Sequence, residues 1–165
     1  MFKKNLIVLA LALLIPSLAH AETAADRLKE ELTRVGVAQF TASNYKPGVV
    51  RHIVLFRYGP QVTLEQKQKA KNRFLALKYL ALKNGKRYIL SIETGAEISG
   101  EGADQGLEQG FIVTFKSEGD RNYYVGQPVI TDAHFYDPAH QAYKDFVGQL
   151  LDQNGVVVFD FSAGN

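Results

Sequence analysis

A strand is predicted over residues 49–58, because apolar and polar side chains alternate there with the two-residue period of a pleated chain. Gly59 and Pro60 end this strand. On the face expected to meet a core lie His52, Val54, Phe56 and Tyr58. On the opposite face lie Arg51, Ile53, Leu55 and Arg57.

A long helix is predicted over residues 63–84, where apolar side chains recur every three or four residues. Thr63 and Gln66 have the spacing of a capping box, which begins a helix. Gly85 is placed to cap the other end. The apolar stripe of this helix consists of Ala70, Phe74, Leu77 and Ala81.

A second helix is predicted over residues 138–153, with Asp137 as its N-cap and Pro138 in its first turn. The segment before it, residues 118–137, is predicted to be mostly irregular. A shorter helix is predicted over residues 23–35 and is followed by a linker. Three further strands are predicted at residues 88–98, 110–116 and 156–161.

From residue 49 onward, the order of these elements is β-α-β-β-α-β. Short connections and right-handed crossovers then favour an α+β, ferredoxin-like fold, in which one antiparallel sheet carries both helices on one face. The other face of such a sheet needs cover if it is apolar, so we expect a homodimer. The chain therefore divides into residues 22–48, a helix and linker, and residues 49–161, one folded domain.

Residues 1–21 are predicted to be a secretory signal peptide. They combine a positive start, an unbroken apolar run over residues 6–15, and small residues at Ala19 and Ala21. A membrane span needs roughly 20 apolar residues, so this run is too short to be one. We expect cleavage after Ala21, a mature chain that begins at Glu22 without a membrane span, and a periplasmic or secreted location.

Charge and composition exclude several classes of function. Removal of two lysines with the signal peptide leaves 17 of the 19 basic residues, against 17 acidic ones. A neutral chain lacks the basic excess of a general nucleic-acid binder, so no nucleic-acid partner is expected. The absence of cysteine excludes disulfides and thiolate sites. The histidines lack the spacing of a metal site, and the glycine-rich residues 99–104 lack the lysine and helix of a phosphate loop. We therefore expect no metal and no cofactor.

Four segments resemble the stress-responsive A/B barrel (Dabb) family, in order and at suitable spacing over about residues 49–161. The resemblance implies the fold derived above, with the sheets of two subunits joined in a dimeric α/β barrel. It also implies a stress-associated role. The segments are residues 50–58 (opening strand), 110–115 (third strand), 137–140 (the helix start, Asp-Pro-Ala-His) and 156–161 (the closing strand, with Asp160 inside it).

The same resemblance implies an apolar pocket between the sheet and the helices. One plant member closes a polyketide ring, and its catalytic histidine matches His140, whereas His52 matches a pocket residue. Gln127 stands where the family motif Y-x-x-H-P has its histidine. Because the chain has an insertion here, the family tyrosine falls on Tyr124 when counted forward from the third strand and on His134 when counted back from His140. The implied ligand contacts are His52, Val54, Phe56, Ala70, Phe74, Phe111, Val113, His134, Tyr143 and Val158.

Three functions stay open. The first is a small-molecule-binding or stress-associated protein with a small apolar or aromatic ligand. The second is a cyclase or isomerase, in which His140 is the general base and Tyr124 or Tyr136 holds an oxyanion. The third is a structural dimer that binds a partner through residues 124–137. A histidine in the first turn of a helix can also be purely structural.

Overall fold

The computed structural model describes residues 22–163, and the predicted signal peptide lies outside them. In chain order, the helices are Ala24–Val35 (α1), Val37–Phe40 (α2), Leu64–Leu80 (α3), Glu118–Val125 (α4) and Pro138–Val147 (α5). A 3₁₀ turn at Ala133–Phe135 precedes α5. In chain order, the strands are Pro47–Tyr58 (β1), Leu82–Lys83 (β2), Lys86–Arg87 (β3), Ile89–Ala96 (β4), Gln109–Ser117 (β5) and Leu151–Ser162 (β6).

Four strands form one antiparallel sheet in the order β4-β5-β1-β6. The predicted α+β, ferredoxin-like arrangement is therefore confirmed. The β2–β3 hairpin and α4 are additions to the predicted pattern. Between residues 22 and 163, no helix is both long enough and apolar enough to cross a bilayer.

The two faces of the sheet have different surroundings. The inner face, as we call it, packs against α3, α4 and α5 and forms the main core. The outer face carries half-buried side chains of β1 and β5 and exposed apolar side chains of β6. The buried inner-face residues of β1 and β5 are Val50, His52, Val54, Phe56, Tyr58, Phe111, Val113, Phe115 and Ser117.

The first long helix begins as predicted but ends four residues early. Thr63 and Gln66 form the predicted capping box. The helix stops at Leu80, and Asn84 and Gly85 form the turn of the β2–β3 hairpin, with φ angles of 51° and 73°. Asn-Gly suits a two-residue hairpin turn because both residues tolerate positive φ. The prediction that Gly85 caps the helix was therefore wrong.

The second long helix also ends early. Asp137 and Pro138 begin it as predicted, but it ends at Val147 rather than at residue 153. Gly155, which was expected to close the helix, lies inside β6. A Cβ atom there would lie 2.4 Å from the carbonyl oxygen of Arg57, so the close approach of two strands requires glycine.

The prediction of irregular structure over residues 118–137 was wrong for α4. Ser117 caps this helix through a hydrogen bond from the backbone N–H of Asp120 to its hydroxyl. The sequence of α4 has weak helix propensity, but most of its residues are buried, and packing outweighs propensity. Helix α4 overlaps residues 124–137, the partner surface of the structural-dimer hypothesis, only at Tyr124 and Val125, so that hypothesis stays a prediction.

The predicted N-terminal helix is present as α1, and it packs on the domain together with α2. Phe40 and Ile130 are the buried centre of this second, smaller core. The side-chain amide of Asn122 donates a hydrogen bond to the carbonyl oxygen of Phe40 at 2.8 Å. Ser43 donates another to Asp120 at 2.6 Å. Residues 24–46, which we call the prefix, are thus docked against α4 and the loop that follows it.

Candidate functional site

Three of the predicted site residues meet on the inner face, each from a different element. His52 lies on β1, Tyr124 near the end of α4, and His140 in the first turn of α5. The rings of Tyr124 and His140 are stacked, with centroids 3.7 Å apart. The ring of His52 meets Tyr124 edge-on at 5.6 Å. This group, which we call the His–Tyr cluster, is buried, and His140 exposes 6% of its surface.

The imidazole of His140 is held in one tautomer. Its Nδ1 lies 2.6 Å from the carbonyl oxygen of Tyr124, which can only accept, so Nδ1–H donates this hydrogen bond. Burial holds the pKa of His140 well below its usual value near 6.5, although the hydrogen bond to Tyr124 opposes that effect. The ring is therefore neutral at ordinary pH, and its Nε2 carries the lone pair that can accept a proton.

Asp137 fixes the position of His140. One oxygen of the Asp137 carboxylate accepts hydrogen bonds from the backbone N–H groups of Ala139 and His140, at 2.8 and 2.9 Å. The other oxygen accepts a hydrogen bond from the hydroxyl of Tyr88 at 2.6 Å. Burial raises the pKa of Asp137, and these hydrogen bonds oppose the rise. Asp137 thus holds the helix start and, with it, the ring of His140.

A buried ion pair that the sequence did not predict supports His52. Its Nδ1 lies 2.6 Å from one oxygen of Asp160, and the guanidinium of Arg121 binds the other oxygen. Burial raises the pKa of Asp160, but the hydrogen bond from His52 and the charge of Arg121 outweigh it, so the net pKa is lowered. His52 and Asp160 are opposite each other in the β1–β6 register. The His52–Asp160 contact depends on the register of β1 and β6, which the sequence does not show, and Arg121 lies in a segment that was predicted to be irregular.

Two tyrosine hydroxyls in the inner layer lack hydrogen-bond partners among residues 22–163. They belong to Tyr58 and Tyr124, and both are buried. Burial raises the pKa of Tyr58 to about 12, with a smaller effect from Glu108, and burial also raises the pKa of Tyr124 well above its ordinary value. Tyr143 is satisfied, because its hydroxyl donates to the carbonyl oxygen of Ala70 at 3.3 Å. The hydroxyls of Tyr58 and Tyr124 are therefore free to bind an added acceptor or donor in this layer.

Most residues predicted to line a pocket lie together in this layer, and their side chains pack closely against one another. Phe74 and Phe111 stack at 3.9 Å, and Tyr143 meets Phe74 edge-on at 5.1 Å. Val158 lies opposite Val54 in register and is about half exposed, so the layer is open to solvent along β6. An apolar ligand pocket at this place stays a prediction. The other predicted lining residues in the same core are His52, Phe56, Ala70 and Val113.

Two other candidates lie away from the His–Tyr cluster. His134 is an exposed residue of the 3₁₀ turn, and its ring bonds to Asp132 at 2.9 Å. Tyr136 packs against the smaller core around Phe40 and Ile130. Of the two tyrosines considered for an oxyanion, the structure therefore places Tyr124, and not Tyr136, beside His140.

Two cavities within residues 22–163 lie outside the inner layer. The larger, about 610 Å³, lies on the outer face, where the loop after β4 curves beside the sheet and contributes Ala103 and Leu107 to its wall. The smaller, about 60 Å³, lies between the prefix and the Arg121–Asp160 pair. The same residues contain no group of three or more histidine or acidic side chains that could hold a metal ion.

Comparisons with known proteins agree with this architecture. A family model described as the Stress responsive A/B Barrel Domain matches residues 50–163. A comparison with curated protein sequences finds no significant match.

Several solved structures share the fold. The protein At3g17210 of Arabidopsis thaliana is 23% identical, with a TM-score of 0.55 over 70% of this chain and 96% of its own. Hydroxynitrile lyase from Passiflora edulis is 20% identical, with a TM-score of 0.57 over 72% of this chain and 95% of its own. A protein of unknown function from Jannaschia sp. CCS1, described as dimeric and ferredoxin-like, is 16% identical, with a TM-score of 0.54 over 70% of this chain and 100% of its own.

Proposed function

The chain belongs to the stress responsive A/B barrel (Dabb) family, and on that premise we propose that it is an exported, homodimeric, small-molecule-binding protein with a stress-associated role. The proposed site is the inner layer around Tyr58, Tyr124 and His140. The proposed ligand is a small aromatic or apolar molecule that carries one oxygen acceptor. The observation that supports this site is the pair of buried tyrosine hydroxyls without partners among residues 22–163.

The two buried hydroxyls destabilise the folded protein as long as they have no hydrogen-bond partner. A buried hydroxyl without a partner costs roughly 1–3 kcal/mol, and a ligand carbonyl oxygen would remove that cost. Tyr143 is a neighbour of both tyrosines: besides burial, Tyr58 raises the pKa of Tyr143, and Tyr143 raises the pKa of Tyr124. Apolar walls with a few polar groups are typical of small-molecule sites.

The open edge along β6 gives such a ligand a way in. Val156 and Val158 are on the inner face and are about half exposed. The stacked rings of Phe74 and Phe111 close the layer on the side of α3. A ligand that enters along β6 must displace core side chains, and the hydroxyl of Tyr124 then provides its polar contact.

A pair of probes of similar size tests the site. We expect acetophenone, which has a carbonyl oxygen, to bind the mature chain about three- to tenfold more tightly than ethylbenzene, since one hydrogen bond contributes about 1 kcal/mol. Tyr124→Phe should abolish this preference, and Tyr58→Phe should reduce it. Ligand-observed NMR titration measures both affinities.

Tyr79→Phe is the matched control, because Tyr79 is an exposed residue of α3. This variant should keep the preference of the unsubstituted protein. The proposal fails if neither probe binds, or if the preference for acetophenone survives both Tyr124→Phe and Tyr58→Phe.

The proposed partner is a second copy of the chain, which would cover the outer face. Phe159 lies on this face and exposes 62% of its surface, beside the exposed Val157 and Phe161. Contiguous exposed apolar surface of this kind marks an interaction site. The dimeric description of the Jannaschia protein supports the same assembly.

Export is proposed from the sequence of residues 1–21 alone. A mature chain that begins at Glu22 is the expected product of signal-peptide cleavage. Intact-mass measurement of the protein recovered from a periplasmic fraction tests this, and a chain that still begins at Met1 would contradict it.

A second candidate function is acid–base catalysis by the same cluster, as a cyclase, an isomerase or a lyase. The observation in its favour is the neutral His140 ring, whose Nδ1–H is bound and whose Nε2 can accept a proton. In cleavage of a hydroxynitrile, His140 would remove the hydroxyl proton and the carbon–carbon bond would break. An aldehyde would form, and the cyanide would leave with its electron pair and take up a proton. Tyr124 would donate to the developing oxyanion.

Cyanide release from an aromatic hydroxynitrile tests this second candidate. His140→Gln should lower the rate by about a hundredfold or more, as expected for loss of a general base. His134→Gln is the control, because His134 lies outside the cluster, and it should leave the rate unchanged. No release by the unsubstituted protein would exclude this reaction, and an unchanged rate in His140→Gln would exclude the role of His140.

A further inference from the structure

Charge is distributed unevenly along the chain, although residues 22–165 contain as many acidic as basic side chains. Residues 63–87, which form α3 and the β2–β3 hairpin, contain eight basic residues and one acidic residue. Residues 88–108, which form β4 and the loop after it, contain five acidic residues and no basic one. Such a separation attracts an anionic partner to the first segment and repels it from the second.

Six of the eight basic side chains are available to such a partner. Lys67 binds Glu108 near the start of α3, and Lys83 binds Asp120. Since Glu108 is the last residue of the acidic segment, that segment approaches α3 at its start, whereas the hairpin follows its end. The other six basic side chains form no ion pair with a carboxylate among residues 22–163. They are Lys69, Lys71, Arg73, Lys78, Lys86 and Arg87.

The end of α3 and the hairpin also carry exposed apolar side chains. Tyr79, Leu80 and Leu82 expose 57%, 62% and 42% of their surfaces. The guanidinium of Arg87 lies over the ring of Tyr79, 4.9 Å from its centroid, and Leu82 is opposite Arg87 in the hairpin register. These four residues and Lys86 therefore form one continuous patch, which we call the tip.

The backbone of the tip is fixed by its neighbours. Ala81, within the tip, is fully buried in the main core. The ammonium group of Lys83, in the hairpin, donates a hydrogen bond to the carboxylate of Asp120 at 3.2 Å. Tyr88, directly after the hairpin, is buried as well. Because the chain is held on both sides, the apolar side chains of the tip face solvent in the folded protein.

An apolar patch among basic side chains fits the surface of an anionic lipid bilayer. Leucine side chains enter the boundary between headgroups and acyl chains, and a tyrosine ring places its hydroxyl among the headgroups. Lysine and arginine reach the lipid phosphates with their long side chains. A nucleic acid would pair with the same charges but would leave the leucines in water. The exposed leucines therefore favour the bilayer.

We propose that the protein binds peripherally to anionic lipid bilayers through the tip. Tyr79, Leu80 and Leu82 enter the interface, and the available basic side chains of α3 and the hairpin bind the headgroups. This inference goes beyond the proposed function, because it uses neither the inner layer nor the outer face of the sheet. Its failure would leave the proposed function standing.

Co-sedimentation of residues 22–165 with lipid vesicles tests the proposal. We expect the protein to bind vesicles of equal parts phosphatidylglycerol and phosphatidylcholine at low salt, and to leave vesicles of phosphatidylcholine alone in the supernatant. Most of the binding should be lost at about 1 M salt, where charges are screened beyond about 3 Å. No binding, or equal binding to both kinds of vesicle, would overturn the proposal.

Removal of charge from the tip should weaken the binding. The double variant Lys86→Gln, Arg87→Gln should bind the anionic vesicles about tenfold or more weakly, since each basic residue near such a surface contributes about fivefold. The matched control is Arg27→Gln, Lys29→Gln, which removes the same charge from exposed positions of α1. The proposal fails if both double variants bind equally well.

Removal of an apolar side chain separates a bilayer from other anionic partners. Leu80→Ser should weaken binding by about fivefold or more, because the leucine no longer leaves water. Ile98→Ser is the control, since Ile98 is exposed in the acidic segment, and it should leave the affinity unchanged. If Leu80→Ser binds as tightly as the unsubstituted protein, the tip attracts anions by charge alone, as for a nucleic acid, and the bilayer assignment is wrong.

Discussion

His140 is a buried histidine whose charge state is linked to folding. Burial lowers its pKa below the value near 6.5 that it has in an unfolded chain. Below pH 6.5 the unfolded chain therefore takes up a proton that the folded protein excludes. The stabilising contribution of the neutral ring is complete above pH 6.5 and is lost as the pH falls.

We therefore expect the free energy of unfolding to fall between pH 6.5 and 5.5, with a slope from His140 of up to about 1.4 kcal/mol per pH unit. His140→Gln should remove this part of the slope, because glutamine takes up no proton. Urea unfolding of both proteins at several pH values measures the difference. Identical slopes would mean that His140 is not held neutral.

Asp160 is the shared anion of a buried group. It binds both His52 and Arg121, and Arg121 exposes only 8% of its surface. Asp160→Asn leaves the guanidinium buried without a countercharge, which should cost about 3–5 kcal/mol of the free energy of unfolding. Urea unfolding at pH 7 measures this loss.

Asp152→Asn is the matched control for that prediction. Asp152 forms an exposed ion pair with Arg57 at 3.2 Å, and such pairs contribute no more than about 1 kcal/mol. If the two substitutions have the same effect, Asp160 does not form the buried pair that the structure contains.

At the residue scale, much of the His–Tyr cluster could be predicted from sequence. The alternation of β1 placed His52 on the core face, and Asp137-Pro138 placed His140 in the first turn of a helix. The pairing of His52 with Asp160 could not be predicted, because it needs the register of strands that are about a hundred residues apart. The state of the Tyr124 hydroxyl depends on packing from several elements, which local patterns do not contain.

At the element scale, the docking of the prefix depends on one glycine. A Cβ atom at Gly119 would lie 1.9 Å from the carbonyl oxygen of Ala42 and 2.9 Å from Cβ of Tyr45. Gly119→Ala should force the prefix away from α4 and cost about 1–3 kcal/mol of stability. Hydrogen exchange of residues 24–46 should become faster.

Gly100→Ala is the control at this scale. Gly100 is in an open loop where a Cβ atom meets nothing within 4 Å, so the change in stability should stay within about 0.5 kcal/mol. If hydrogen exchange in the prefix is unchanged by Gly119→Ala, the contact with Ala42 does not hold the prefix in place.

Element types were predicted well where local signals agreed, and poorly where tertiary packing decided. The capping box at Thr63 and the N-cap at Asp137 gave correct helix starts. Gly85 and Gly155 misled the assignment of both helix ends, because the same residue type caps helices, makes hairpin turns and allows close strand approach. Helix α4 forms against weak propensity because it is buried, and burial is not a local property.

At the scale of the whole molecule, the fold could be predicted from the order of the elements. The arrangement of side chains across the outer face of the sheet could not. Local sequence patterns do not show that Gly95 and Gly110 adjoin in one row with Leu55 and Val157, since that row depends on the register of the strands. The outer face of β6 carries exposed apolar side chains. Because water disfavours such a surface, it favours association of the subunit with a second copy.

Sedimentation equilibrium of residues 22–165 at micromolar concentration tests most directly whether a second copy of the chain covers the outer face of the sheet. We expect the mass of two chains for the unsubstituted protein and of one chain for Phe159→Asp, which puts a charge among the exposed apolar side chains of β6. Leu64→Asp, at an exposed position at the start of α3, should remain a dimer. A one-chain mass for the unsubstituted protein, or a two-chain mass for Phe159→Asp, would contradict a second copy seated on the outer face.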